Sequence, residues 1–424
     1  RRMSSCRPPK GSTYLTIGQD LFSIQEYVTE QFNASLHQNR VLPLSTFVPA
    51  AAMVYTDIQS LRGLDIPVDY GSGVEYADGI LQSLFPGQHM GLQIGLWLNG
   101  TAGCQDILSG SLDSQIDSLI SYVSDCQASH VFLRVGYEFD NPSFGYSSDP
   151  QSYQAAFVYL VDACRRFSSC GSMVSFVWHS WAARRYGLLE DYYPGDDYVD
   201  WIGVSIFDHF FPWSHGDGRP QDIIQVLEFA AERNKPTMIA ESTPFGGIDL
   251  NHSITEPYGL DDPWERWFQP VFDIIEEYDV SMWSYINCNW ESQPMWHNIG
   301  FGDTRLSTNQ IIMQKWQEYI FRGKRSFLMS GSMLDCGKNV STAHQIVPSA
   351  LMIPDHDKAS SMKSEFYISS GIAIAFVMLA CLFYVWKREK KTEMGETFGQ
   401  EDKLQLTTLV QYGSANGLSI HNSK

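Results

Sequence analysis

An eight-stranded barrel of alternating strands and helices, (β/α)8, is the fold class that the sequence predicts, and three observations carry it. Eight short apolar runs are spaced between residues 14 and 321, amphipathic stretches separate them, and most runs are bounded by Gly, Pro or Asp. Runs that are apolar on both faces fit strands covered by helices, and eight strand–helix units need about 250 residues or more. An open doubly wound sheet is the runner-up, but no Gly-x-Gly-x-x-Gly follows the first run to mark a phosphate-binding turn.

The runs, in order, are 14–20 (YLTIGQD), 46–55 (TFVPAAAMVY), 92–98 (LQIGLWL), 130–138 (HVFLRVGYE), 173–179 (MVSFVWH), 199–207 (VDWIGVSIF), 236–241 (PTMIAE) and 280–287 (VSMWSYIN). The stretches between them read as helices. Asp149 and Pro150 supply an N-cap and a first-turn proline, and Tyr153, Phe157, Leu160, Val161, Cys164 and Phe167 follow on one face. Ile116, Leu119, Ile120 and Val123 form such a face before the fourth run. Trp267, Phe268, Val271, Ile274, Ile275 and Tyr278 form one before the eighth, with Pro263 at the helix start. The second unit is interrupted by Gly71 and Gly73. The barrel is expected over 11–326.

Beyond it the periodicity fades, and 327–366 reads as a stalk rich in Ser, Met and Pro. Residues 367–386 carry no charge over a length that spans a bilayer, and Lys387, Arg388, Lys390 and Lys391 follow at once. The expectation is a single-pass transmembrane helix with an extracellular or lumenal barrel and a cytoplasmic, disordered tail at 387–424. Four glycosylation sequons, at Asn33, Asn99, Asn251 and Asn339, all precede that segment. Seven of the eight cysteines do so too, an odd number that leaves at least one thiol unpaired in an oxidising compartment. Cys164 and Cys170 are near enough for a local loop, but the connectivity stays open. No apolar leader core follows Arg1; a removed signal, a fragment or mis-called start, and insertion driven by the anchor itself are the readings, of which a missing signal is the expectation.

Composition narrows the function. The chain is 44% hydrophobic and only 18% charged, which excludes disorder for most of its length. Its 48 acidic residues against 29 basic ones argue against a nucleic-acid partner, since phosphate binding needs a basic face. Of these, 43 acids and 23 bases precede residue 387, which disfavours polyanionic sugars and suits neutral ones. No His-Glu-x-x-His or Gly-x-Ser-x-Gly pattern marks a zinc site or a serine nucleophile.

Barrel chemistry collects at the C-terminal ends of strands. The fourth run ends in Arg134-Val135-Gly136-Tyr137-Glu138-Phe139-Asp140-Asn141 and the seventh in Ile239-Ala240-Glu241. A glutamate closing an apolar strand would be desolvated to no purpose, and strands four and seven face each other across the mouth. That pair suits two carboxylates flanking a glycosidic bond.

These stretches resemble the clan A glycoside hydrolases, in which the acid/base Glu ends strand four and the nucleophile Glu ends strand seven. The chain is most similar to glycoside hydrolase family 26, the β-mannanase group, which has an Arg four residues before its acid/base, as Arg134 stands to Glu138. Phe176-Val177-Trp178, Val199-Asp200-Trp201-Ile202-Gly203 and Trp283 add to the likeness, which covers about residues 14–321. The chain departs from that family in having Tyr137 in place of a His before the acid/base. Phe207 stands where a Tyr is expected beside the nucleophile, and Tyr285 is the candidate to take over its bond.

The resemblance implies a retaining β-glycosidase on a mannan-like β-1,4-glycan, with Glu241 as nucleophile, Glu138 as acid/base and neither metal nor organic cofactor. Arg134, Tyr137, Asp140, Asn141, Trp178, His179, Asp208, Trp283 and Tyr285 are the expected sugar-binding residues, with Trp181 and His209 as further candidates. A core-filling role competes for each ring. An inactive carbohydrate-binding or adhesion receptor on the same barrel is the alternative reading.

Overall fold

In the computed structural model, residues 6–38, 41–183, 187–211, 218–248, 262–334 and 336 are described. All belong to a unit spanning residues 1–339; 340–424 lie outside the described residues.

Each predicted run is a strand. They are β1 (Ser12–Gly18), β2 (Ala51–Asp57), β3 (Gly91–Trp97), β4 (Val131–Val135), β5 (Val174–Ser180), β6 (Trp201–Ile206), β7 (Thr237–Ser242) and β8 (Met282–Ile286). Each pairs in parallel with the next, and β8 closes on β1 in the register Tyr14↔Met282 to Gly18↔Ile286. A short ninth strand, β9 (Ser326–Leu328), runs parallel to the lower half of β1, while the upper half of β1 pairs with β2.

The helices are α1 (Leu21–His37), α2 (Gly100–Leu108), α3 (Asp113–Asp125), α4 (Pro150–Arg165), α5 (Ser168–Met173), α6 (Pro220–Glu232), α7 (Gln269–Glu277) and α8 (Gln310–Arg322). Asp20 caps α1 by accepting from the backbone N–H groups of Phe22 and Ser23, and Asp149 caps α4 by accepting from Ser152. The buried faces of α3 and α4 are those the spacing predicts, except that Phe167 lies beyond the end of α4 and is exposed. A π-helical turn, Trp264–Phe268, leads into α7. Two units depart from strict alternation. The second replaces its helix with a two-stranded hairpin (Val68–Asp69 with Val74–Glu75) and a π-helical turn, Gly79–Leu84. Between β5 and β6 the described residues hold a single 3-10 turn, Leu189–Tyr192.

The base of the lumen is filled by Tyr14, Ala51, Phe132, Val177, Trp201, Met238 and Met282, with Phe132 and Trp201 edge to face at 5.2 Å. Met333 packs onto this plug, and a Cys6–Cys336 disulfide ties the two ends of the barrel chain together beside it. A second disulfide, Cys164–Cys170, closes the local loop at the end of α4. Cys104, Cys126 and Cys288 are free.

Among the sequons, Asn33 on α1 and Asn99 before α2 are exposed, while Asn251 and Asn339 fall outside the described residues. So do the expected transmembrane segment 367–386, the tail 387–424 and most of the stalk. No helix among the described residues is long and apolar enough to cross a membrane. The single-pass membrane placement expected from the sequence is therefore withdrawn.

The Cys6–Cys336 bond closes a loop of 330 residues. Because such a closure restricts the unfolded chain, the Cys6→Ser/Cys336→Ser double variant should lose about 2–5 kcal/mol of stability. Chemical denaturation of both proteins under non-reducing conditions measures it.

Candidate active site

Side chains alternate along a strand, so every second residue enters the lumen. On β4, Phe132 lies in the basal plug and Arg134 follows it inward, wholly buried. On β5, Val177 is basal and His179 stands above it. On β6, Trp201 is basal and Ser205 sits two steps up. The same rule would turn Glu241 outward, because Met238 and Ala240 both belong to the luminal cluster. The pairing of β6 with β7 slips at that point: Val204 opposes Ile239, and Ser205 opposes Glu241. A bulge of this kind re-aims the next side chain, and Glu241 enters the lumen to accept a hydrogen bond from Arg134 Nη1.

Glu138 arrives by another route. After β4 the chain turns sharply through Gly136 at φ 56° and Glu138 at φ 51°. At Gly136 a Cβ would lie 2.7 Å from the Tyr153 ring, so both space and backbone require glycine there. Glu138 holds its left-handed conformation by bonds to Asn141, whose backbone N–H donates to the Glu138 carbonyl at 2.8 Å and whose Nδ2 donates to Oε2 at 3.1 Å. Strained residues of this sort concentrate at working sites.

Glu138 and Glu241 keep only 6% and 7% of their surface exposed. Burial pushes the Glu138 carboxyl up to about 8, the neighbouring Glu241 charge adds to this, and hydrogen bonds from Ser205 and Asn141 work against it. Glu138 is thus the protonated member of the pair at neutral pH, and Glu241, bonded to Arg134, is the carboxylate. His179 lies well below its ordinary range, through burial and then the Arg134 charge, and is neutral. The guanidinium of Arg134 lies over two adjoining rings, 5.0 Å from the centroid of Tyr55 and 5.4 Å from that of Tyr137, which themselves meet edge to face at 5.3 Å. Gly95 leaves it room: a Cβ there would sit 2.8 Å from Arg134 Nη2 and 2.6 Å from the Tyr55 ring.

One donor atom each from Glu138, His179 and Glu241 lies within 4.8 Å of the other two, a spacing that a metal ion would need. The set does not fit a cation. Arg134 already supplies a permanent positive charge between Glu241 and His179, where a metal would be repelled.

The remaining predicted residues divide sharply. Arg134, Tyr137 and Asn141 stand around the two carboxylates. Trp178, Trp283 and Tyr285 do not reach the cleft: each is 0% exposed and faces the helix layer. The Trp178 ring stacks 4.2 Å from Phe139, its indole N–H donating to the Tyr192 carbonyl. Trp283 donates to Ser242 Oγ, and the Tyr285 hydroxyl donates to the Thr304 carbonyl at 2.5 Å, so it is not available to Glu241. The reason is parity: Ser284, between the last two, enters the lumen two residues above the basal Met282 and donates to Gln93. His179 is likewise sealed from solvent and lies behind the carboxylates. Asp140 accepts from Ser180 Oγ and the Trp181 backbone, both at 2.6 Å, and so ties down the loop after β5. His209 is buried, bonded to the Phe207 and Ala182 backbones, and pushed down to about 4 by burial, while Trp181 and Asp208 are half-buried.

Sequence reasoning missed Ser205, Tyr55 and Gln93. Their signal was a polar or hydroxyl-bearing side chain at alternate positions of an otherwise apolar strand. Of the half-buried rings clustered at and just beyond the strand ends, sequence reasoning singled out only Tyr137 as a sugar-binding candidate. Tyr55, Trp97, Tyr137 and Phe144 form one cluster on the β2–β4 side, and Phe207, Phe245, Trp296 and Phe301 form another on the β6–β8 side.

No family model matches the chain. It is 28% identical over 332 residues to a β-1,3-xylanase, TXYA, of Vibrio sp, a match covering 73% of this chain and 65% of the relative. It is 28% identical over 365 residues to a β-1,3-xylanase of Alcaligenes sp, covering 78% and 69%. The chain therefore spans slightly less than two thirds of the length of the first of these relatives. Among solved structures, a modular endo-β-1,4-mannanase from Cellulomonas fimi superposes with a TM-score of 0.49 at 14% identity, covering 81% of this chain and 77% of that one. The Bacillus subtilis mannanase man26 does so at 0.44 and 13%, covering 72% and 86%. At that level of likeness no substrate follows.

The raised Glu138 carboxyl makes a stability prediction. The folded protein keeps a proton that the unfolded chain releases above about 4.5, so Glu138 costs stability progressively as pH rises from there to about 8. Glu138→Gln removes that dependence. Its melting temperature relative to the parent should climb between pH 5 and 8, whereas a constant difference would place the carboxyl in its ordinary range. Glu30 (about 8) and Asp20 (about 6), both raised chiefly by burial, leave a common background slope in both proteins.

Proposed function

We propose that this chain is a retaining β-glycoside hydrolase acting on a neutral β-linked polysaccharide, with β-1,3-xylan as the first substrate to test. The observation that carries the reading is the carboxyl pair. Glu138, neutral, and Glu241, ionised, offer oxygens within 4.8 Å of one another at the mouth of a barrel. That closeness supports retention, for which the carboxyls stand about 5–5.5 Å apart, over inversion at about 6.5–9.5 Å. The acidic surplus supports a neutral sugar. The curated relatives, both β-1,3-xylanases, favour β-1,3-xylan over the mannan-like glycan expected from the sequence.

In the first step Glu241 attacks the anomeric carbon, and a glycosyl-enzyme ester forms as the glycosidic C–O bond breaks. Glu138 delivers its proton to the departing oxygen. In the second step Glu138, now a carboxylate, takes a proton from water, which attacks the same carbon and releases Glu241. Arg134 remains beside Glu241 to receive the returning charge. The mechanism calls on no metal or organic cofactor. The two clusters of half-buried rings supply apolar faces for sugar C–H groups on either side of the pair.

The test is hydrolysis of β-1,3-xylan, β-1,4-mannan and β-glucan by the purified full chain, with the anomer of the first product followed by proton NMR. Release of the β-anomer first, loss of turnover in Glu241→Gln, and an activity that falls above about pH 8 as Glu138 loses its proton are the expected results. Glu138→Gln should lose about 10²–10⁴-fold on polysaccharide but far less on an aryl glycoside whose leaving group needs no proton. Sugar binding without turnover in the parent would overturn the reading in favour of a receptor.

A further inference from the structure

Between the two carboxyls runs a buried chain of side chains, two of which, His179 and Ser205, the double displacement leaves unused. Arg134 Nη1, besides bonding Glu241, lies 3.3 Å from His179 Nδ1. His179 Nε2 lies 3.0 Å from Ser205 Oγ, and Ser205 Oγ lies 2.6 Å from Glu138 Oε1. Arg134, His179 and Ser205 are each 0% exposed, so no solvent competes for these bonds.

The donor directions are forced from one end. A guanidinium has donors only, so His179 Nδ1 must accept. A neutral imidazole with Nδ1 accepting carries its proton on Nε2 and donates it to Ser205 Oγ. The hydroxyl of Ser205 then has one remaining direction, toward Glu138 Oε1. An acid proton on Oε1 would meet that hydroxyl proton head on, and Ser205 could not turn aside, because its other neighbour is the N–H of His179. On Oε2 the contact is with Asn141 Nδ2, which needs only one lone pair and leaves the acid proton free to face the cleft.

We infer that Ser205 and His179 are positioning residues that confine the transferable proton of Glu138 to Oε2 and couple that carboxyl, through Arg134, to the charge on Glu241. The inference rests on the reading of Glu138 as the acid/base. While Glu241 is ionised, Arg134 shares its charge with it. Once Glu241 is an ester, the undivided charge of Arg134 bears on His179, strengthens the Ser205 donor and favours the carboxylate form of Glu138, the form that must then act as base. The charged or titratable groups around Glu138 and the Arg134–Glu241 pair are Tyr55 from β2, Glu75 from the hairpin, Arg134 from β4, Tyr137 and Asp140 after it, His179 from β5 and Glu241 from β7. Burial raises Tyr55, Tyr137 and Glu75 alike and so favours their uncharged forms, and Glu241, Arg134 and Asp140 are the charges the relay works against.

The test compares the parent with Ser205→Ala, Ser205→Thr and His179→Gln. The first readout is the pH dependence of kcat/KM on the polysaccharide. The second, independent of activity, is the carbon-13 carboxyl titration of Glu138, identified by its disappearance in Glu138→Gln. Removing the donor should move both the alkaline limb and the carboxyl titration of Ser205→Ala upward by about 0.5–1 pH unit. Its kcat should fall about tenfold with KM unchanged, and Ser205→Thr should restore both values. His179→Gln should shift the titration in the same direction. If Ser205→Ala fails to fold, Ser205→Cys, of similar size but a weak donor, takes its place. A Glu138 titration in the alanine or cysteine variant that superimposes on the parent's overturns the relay. A parent that hydrolyses no glycan but whose Glu138 titration shifts in Ser205→Ala defeats the proposed activity and leaves the relay standing.

Discussion

A guanidinium with no exposed surface, placed inside the barrel at Arg134, is the constraint on which the rest of the site depends. Removing such a charge from water costs several kcal/mol unless partners of opposite charge and good geometry surround it. Each neighbour answers that demand. Glu241 supplies the negative charge, His179 stays neutral and accepts, Tyr55 and Tyr137 present ring faces, and Gly95 lacks the Cβ that would fill the space. The β-bulge at Ala240 exists in the same context, since without it Glu241 would point into the helix layer and leave the arginine uncompensated.

The lumen is layered accordingly. Its base is apolar and sealed by Phe132, Trp201 and Met238, with the Cys6–Cys336 staple beside it. Above the plug the inward positions turn polar. Gln93 donates to the Ala240 carbonyl at 2.6 Å and accepts from Ser284, fixing β7 one residue before Glu241. A rigid, water-excluding base beneath a layer of hydrogen-bonded polar side chains preorganises the two carboxyls before any ligand arrives. The electrostatic difference between them then follows from position: Glu241 sits on the arginine, and Glu138 sits on a turn facing neutral donors.

The aromatic side chains show how the same chain serves two purposes. The rings in strands, such as Trp178, Trp283 and Tyr285, alternate outward and fill the barrel–helix layer, each with its polar atom bonded. The rings that end strands or follow them, such as Tyr137, Phe144, Phe207 and Phe301, stay half-buried around the mouth. Type and hydrophobicity do not separate these groups; parity along the strand and the distance past its end do.

The sequence by itself determined the barrel, because strands buried on both faces leave continuous apolar runs and helices leave a 3.6-residue stripe. It also determined the two glutamates, because a carboxyl closing an apolar strand is costly enough to be conspicuous. It could not reveal that the second unit forgoes its helix or that β7 slips by one residue at Ala240, since neither leaves a periodic mark. Nor could it sort luminal from outward side chains within a run as uniform as MWSYI. Only the closed barrel decided that Ser205, His179 and Arg134, drawn from three different strands, would form one bonded path between Glu138 and Glu241. Hydrogen bonds of that kind depend on the register between strands, and register is a property of the assembled sheet, which no single segment of the chain contains.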